Sequence, residues 1–210
     1  MKKPNKPKIT FDIPSVNMGL AILGGSFDPV HYGHLKIAEA ALGFEKVDHL
    51  VFIPSSKSPL KSRNPKIESS DRVNMLKLAS NQIFNCSIDL NEINRGGISY
   101  TADTIKFYRE YYSGDLFWIL GSDQFFQLHK WYKVSYLIKE LIFLVYPRSG
   151  FPIEMSPIMK EPSLRYHSFN VPEINISSTI IRELSIANDS ISQLVPESVA
   201  EYINKHQLYL

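Results

Sequence analysis

A single cysteine, Cys86, stands in 210 residues, which excludes an internal disulfide and any site built from several thiolates. Long apolar runs are missing as well. None approaches the roughly 20 residues that a membrane-spanning helix needs. Charge of one sign is also scarce in excess: 23 Lys and Arg against 21 Asp and Glu leave +2, which argues for neither a nucleic-acid nor a membrane partner. Residues 1–8 are basic but lead into no apolar stretch, so they do not read as a secretory signal. No internal repeat is visible. What is present is 44% hydrophobic residues, the usage of an ordinary globular chain, in a length that can bury a core without disulfides or structural metal. The expectation is a soluble, cytoplasmic protein with a loosely attached arm over 1–18, carrying Pro4, Pro7 and Pro14, and one domain over 19–210.

From Gly19 the pattern alternates. Short apolar runs that read as strands lie at 19–23, 48–54, 84–90, 116–120 and 141–145. Helical segments follow at about 35–42, 69–78, 101–112 and 131–139, with Ser69 or Ser70 as the cap of the second. Residues 55–68 are rich in Ser, Lys and Pro, and 147–162 in proline; both read as loops. Two C-terminal helices are expected at 178–187 and 196–206, the latter with Pro196 in its first turn. Strands alternating with helices at this spacing predict a doubly wound α/β fold, a parallel sheet with helices on both faces. In such sheets ligands sit beyond the carboxyl ends of the strands. That directs attention to the loops after Leu23, Ile53, Leu90, Leu120 and Val145.

The first of these loops reads Gly24-Gly25-Ser26-Phe27-Asp28-Pro29-Val30-His31-Tyr32-Gly33-His34. Paired glycines permit a tight turn and close approach to a ligand, and the helix that follows presents the positive end of its dipole. Two imidazoles on one face of its first turn can donate to one phosphate group. The segment is neither a Walker loop nor Gly-x-Gly-x-x-Gly. Helix-capping or core histidines remain alternatives, as does a zinc site, although no Cys or Glu stands nearby at ligand spacing.

Gly24 to Pro29 followed by His31-x-Gly33-His34 resembles the His-x-Gly-His nucleotidyltransferase superfamily, and in detail the bacterial nicotinate mononucleotide adenylyltransferases. The resemblance runs from about Gly19 to Leu210. It extends to Ile176-Ser177-Ser178-Thr179-Ile180-Ile181-Arg182, which resembles the family's second signature. Read without the family, that segment is a Ser-capped helix start whose hydroxyls, N–H groups and arginine form an anion cradle.

The resemblance implies that Ser178, Thr179 and Arg182 hold the ATP triphosphate opposite His31 and His34, with Gly24, Gly25, Ser26 and Phe27 completing the ATP site. Ser99-Tyr100-Thr101-Ala102-Asp103-Thr104 is a Ser- or Thr-capped helix start on its own terms. It also resembles the family's acceptor motif, which implies that Thr101 lies beside the nicotinate carboxylate and that Ser99 and Tyr100 belong to the same site. Asp123 follows the fourth strand, where a carboxylate can accept from ribose hydroxyls. Trp131, by default a core or interface residue, matches the family tryptophan that stacks on the pyridine ring. Where the family shows Pro-His-Lys, this chain has Pro59-Leu60-Lys61, so Lys61 keeps its position while the histidine is replaced. Arg72 and Arg148 match further basic positions, Arg148 on the mononucleotide side.

The implied reaction joins ATP and nicotinate mononucleotide, with Mg2+ held mainly by the ATP phosphates and no metal site of the protein's own. His31, His34, Lys61 and Arg182 are the expected catalytic donors. Competing readings change the acceptor to the amide nucleotide or another phosphate, or make the chain a nucleotide sensor without turnover. Oligomeric state is not legible; the apolar end, Leu208 to Leu210, could pack on its own chain or form a homo-oligomer contact.

Overall fold

The structure is a computed structural model in which residues 19–59, 64–172 and 175–209 are described. The expected arm over 1–18, and Leu60 and Lys61, lie outside the described residues.

Strands covered on both faces must be apolar throughout, and residues 20–23, 50–53, 116–120 and 141–145 are all buried. The strands are β1 (Gly19–Gly25), β2 (Val47–Pro54), β3 (Cys86–Ile88), β4 (Leu116–Gly121), β5 (Leu141–Tyr146) and β6 (Tyr166–Ser168). They form one sheet in the order β3-β2-β1-β4-β5-β6, and every neighbouring pair is parallel. The chain moves outward from β1 to β3 and then crosses back to β4. The carboxyl ends of β1 and β4 therefore flank a crevice at the reversal of strand order, where ligands bind in such folds.

The helices are α1 (Tyr32–Leu42), α2 (Ser69–Ser80), α3 (Asn91–Arg95), α4 (Thr101–Arg109), α5 (Ser122–Phe126), α6 (Val134–Glu140), α7 (Ser178–Ile186) and α8 (Glu197–Lys205). Alternate strand residues feed two cores. Ala21, Leu23, Phe52 and Phe117 pack with Ala38 of α1, Leu76 of α2, Ile181 of α7 and Val199 of α8. Leu20, Ile22 and Trp118 pack on the other face with Ile105 and Tyr108 of α4 and Leu137 of α6. Each such large side chain, fully buried, contributes about 1.5–3 kcal/mol.

Several boundaries differ from those expected. The second helix is preceded by Glu68 as its cap residue, with no side-chain cap, and Ser69 instead accepts a hydrogen bond from Arg72. Neither Ser99 nor Thr101 caps α4; Tyr100 occupies that position. The helix expected from Trp131 starts at Val134, because Trp131 is extended (φ −72°, ψ 144°) and Lys133 is left-handed (φ 53°). Pro196 precedes α8 as its cap residue instead of lying in its first turn. Three short elements were not expected: α3, α5 and the edge strand β6. Among the described residues no helix is long and apolar enough to cross a membrane.

Candidate active site

The loop between β1 and α1 is shaped by contacts from distant segments. Phe27 adopts a positive φ of 47° and is 1% exposed, so the turn falls there and not at the glycines. Gly24 and Gly25 end the strand in extended form. A Cβ at Gly24 would meet the Trp118 ring at 3.0 Å and one at Gly25 the Phe27 ring at 3.1 Å, so either ring would have to give by a few tenths of an ångström.

The loop's carbonyls are held in turn. Arg72 Nη1 donates to Ser26 O at 2.6 Å, Arg182 Nη1 to Asp28 O at 2.6 Å, and Ser178 Oγ to Pro29 O at 2.9 Å. These bonds fasten the start of α7 against the start of α1. Ser177 caps α7 by accepting the Ile180 N–H at 3.2 Å, as the sequence suggested. Arg72, though basic, is 1% exposed and has its guanidinium on protein groups. Its place is structural.

His31 and His34 come together at that junction, their ring centroids 3.8 Å apart. The backbone N–H of His31 donates to Nδ1 of His34 at 3.2 Å. An acceptor at Nδ1 puts the proton of neutral His34 on Nε2. His31 is 6% exposed, and its buried Nδ1 has no hydrogen-bond partner. Burial, with Arg148 nearby, lowers its pKa from 6.5 to about 4. His31 is therefore neutral at pH 7, and the formal positive charge around it comes from the arginines.

A cleft of about 320 Å3 opens here, lined by His31, His34, Ser178, Thr179, Arg182 and Arg148 among others. Arg182 Nη2 donates to Thr179 Oγ1 at 3.1 Å. Arg148, expected on the mononucleotide side, lines this smaller cleft, where Nη2 donates to the Tyr146 hydroxyl at 3.3 Å.

A second cavity, about 630 Å3, adjoins it and shares His34, Ile37 and Tyr146. Gly24, Gly25 and Ser26 form one side, and Ser99, Tyr100, Thr101 and Trp131 another. Ser99 Oγ accepts the Ser56 N–H at 3.0 Å, and the Tyr100 and Tyr132 rings lie 4.8 Å apart. Trp131 Nε1 and Ser55 Oγ are buried without partners, and both residues line the cavity. Phe27 and Asp123 line neither space. Phe27 packs on His34 and Phe52, and Asp123 Oδ1 stands 4.0 Å from Arg148 Nε.

Sequence reasoning missed the buried acids beneath this cavity. Glu92, 4% exposed and lining it, accepts the Thr104 hydroxyl at 2.6 Å. Burial pushes the Glu92 pKa up against the hydrogen bonds from Thr104 and Ser99. Asp89, fully buried, accepts the Tyr108 hydroxyl at 2.8 Å and the Asn91 N–H at 2.9 Å. The available signal was two acids three residues apart, Asp89 near the end of an expected strand and Glu92 just after it.

A cleft lined by two arginines thus joins an aromatic-walled cavity at the switch in strand order. The signature of the cytidylyltransferase-like family matches residues 22–184. A relative from Opitutus terrae, named probable nicotinate-nucleotide adenylyltransferase, is 37% identical over 193 residues, covering 91% of this chain and 98% of its own. The chain belongs to the cytidylyltransferase-like family, among the nicotinate-nucleotide adenylyltransferases. A relative of the same name from Staphylococcus epidermidis is 37% identical over 195 residues, 92% of this chain and 98% of its own. The fold of a Plasmodium falciparum nicotinic acid mononucleotide adenylyltransferase, solved with NaAD, matches with a TM-score of 0.76 at 24% identity. The match covers 91% of this chain and 97% of that one. The family membership agrees with the signatures at His31-x-Gly33-His34 and Ser177–Arg182.

Proposed function

We propose that this nucleotidyltransferase moves the adenylyl group of ATP onto nicotinate mononucleotide, giving nicotinate adenine dinucleotide and pyrophosphate, and that residues 19–210 form the unit that does so. The observation carrying this reading is the junction at His34, which belongs to both the anion cleft and the aromatic-walled cavity. A reaction between two phosphate esters needs such a shared point.

A phosphate oxygen of the mononucleotide attacks the α-phosphorus of ATP in line; the bond to the bridging oxygen breaks and pyrophosphate leaves with the electron pair. The attacking oxygen is already anionic at neutral pH, so no general base is needed. Catalysis rests on orientation and on donors directed at the crowded anionic transition state. Ser178, Thr179 and Arg182 hold the triphosphate in the smaller cleft, while Gly24, Gly25 and Ser26 border the ATP from the larger cavity on the other side of His34 and Phe27 supports His34 from behind. His34 donates through Nε2, and neutral His31 donates one N–H. Lys61 belongs to the same reading as a further cation. Arg148 takes the acceptor's 5′-phosphate, supported by its position in the smaller cleft. Trp131 stacks on the pyridine ring, Ser99, Tyr100 and Thr101 border the ring's carboxylate, and Asp123 accepts from ribose hydroxyls.

Mg2+ belongs to this reading as a companion of the triphosphate. The smaller cleft offers guanidinium, hydroxyl and imidazole groups and no carboxylate, a set suited to phosphate oxygens and lacking the carboxylate oxygens that Mg2+ takes from protein. Among the described residues no three His, Cys, Asp or Glu side chains gather as a metal site. Phosphate oxygens and water would hold the ion, which neutralises charge on the phosphates.

The test is pyrophosphate release from ATP and Mg2+ with nicotinate mononucleotide and its amide side by side. Release favouring the acid is expected. Release with the amide alone reassigns the acceptor, and ATP binding with no release from either overturns the reaction.

A further inference from the structure

Asp28 sits in the first loop, 6% exposed, with both carboxylate oxygens occupied by groups from far along the chain. Oδ1 accepts the Tyr209 hydroxyl at 2.9 Å, and Oδ2 accepts the Lys66 backbone N–H at 2.8 Å. Arg182 Nη1 stands 4.0 Å from Oδ2, beyond hydrogen-bond distance, and donates instead to the Asp28 backbone carbonyl. The same guanidinium lines the smaller cleft. Arg72, the other cation near this carboxylate, has its two terminal nitrogens on Ser26 and Ser69. Tyr209 is itself 9% exposed, so its hydroxyl has little water to turn to.

A carboxylate beside a guanidinium closes on it when nothing else satisfies its oxygens, since charge-assisted pairs are the stronger bonds. An arginine so paired has less charge to offer a phosphate. We infer that Tyr209 is a positioning residue for phosphate binding: its hydroxyl holds Oδ1 of Asp28 while the Lys66 N–H holds Oδ2, so the carboxylate cannot turn a free oxygen onto Arg182 and the guanidinium is left to the cleft. This inference rests on the reading of the smaller cleft as the triphosphate site. Burial and the neighbouring Asp28 raise the Tyr209 pKa, so the hydroxyl remains a donor across the working range of pH.

The experiment measures binding of inorganic triphosphate and of a non-hydrolysable ATP analogue to the full chain, together with its melting temperature. Tyr209→Phe keeps the ring and removes the hydroxyl; binding of both probes should weaken on the order of tenfold while the melting temperature moves by only a few degrees. Adding Asp28→Asn removes the competing charge, and its amide still offers an oxygen to the Lys66 N–H. The double variant should recover to within about threefold of the parent. A purely structural Tyr209 predicts the opposite, with the second substitution adding to the loss. Unchanged affinity in Tyr209→Phe, or a double variant weaker than the single, overturns the inference and leaves the functional reading intact. A parent chain that binds neither probe overturns both. Should Tyr209→Phe fail to fold, Asp28→Asn alone decides: equal or tighter triphosphate binding supports the inference, and weaker binding overturns it.

Discussion

The two spaces at the carboxyl edge of the sheet share His34 yet are supported in different ways. Around the smaller cleft, Arg182 and Ser178 bond to backbone carbonyls of a loop 154 and 149 residues away. Beneath the larger cavity, side chains bond to side chains: Thr104 to Glu92 and Tyr108 to Asp89. The proposed function gives this difference a use: a carbonyl anchors Arg182 without neutralising it, as a cleft for a polyphosphate needs, and hydroxyl bonds to Glu92 and Asp89 hold rigid the floor of a cavity meant for a ring.

His34 ties the two spaces together. In His34→Ala both spaces lose a wall and the transition state loses a donor, so kcat should fall by about 10²–10⁴-fold. The melting temperature should stay within a few degrees, because His34 is only half-buried. A steady-state pyrophosphate assay measures the first and a thermal melt the second; an active variant would remove His34 from the reaction.

His31 tests the smaller cleft through pH. Its pKa is about 4 in the folded chain against an ordinary 6.5, so below pH 6.5 the unfolded chain takes up a proton that the folded one refuses. Stability is complete above that point and is lost progressively as pH falls toward 4, by an amount on the order of 3 kcal/mol. His49, also lowered by burial, adds to the slope in the same direction. Melts between pH 7.5 and 4.5 should show a shallower decline in His31→Asn than in the parent, with the His49 contribution common to both. Equal slopes would mean that His31 is solvated.

That test also marks the limit of what the residues alone reveal. The strands were legible because each is a short apolar run, and the pairs His31/His34 and Ser178/Arg182 because each lies within one helix turn. The edge strand β6 was not, since Tyr166-His167-Ser168 carries no apolar run and covers only one neighbour. The helix α5 was missed because it begins at Ser122, immediately after β4 ends, with no loop to announce it. Phe27 resembles a binding residue in the motif but supports His34 from within the core. The neutral state of His31 and the bond from Tyr209 to Asp28 depend on burial and on contacts across 181 residues, which no local pattern encodes.

In the larger cavity, Trp131→Ala should raise KM for the mononucleotide about tenfold, since stacking an aromatic base is worth about 1–3 kcal/mol. KM for ATP should stay unchanged, and Trp131→Phe should recover most of the loss. A parallel rise for ATP would show that the two spaces are not separable.

Thr104→Val reaches only the acids under the larger cavity. Removing the hydroxyl takes one donor from a carboxylate that burial already disfavours, and should cost about 1–3 kcal/mol of stability at pH 7. Glu92 has a raised pKa in the folded state, so its ionisation destabilises the chain as pH climbs through that value. Losing Thr104 raises the value further. The difference in melting temperature between variant and parent should therefore widen as pH rises through the range in which Glu92 ionises. Triphosphate binding in the smaller cleft should not change, because no bond from Thr104 or Glu92 reaches Arg182 or Ser178. A weakened triphosphate affinity would instead mean that the acids under the cavity set the charge of both spaces.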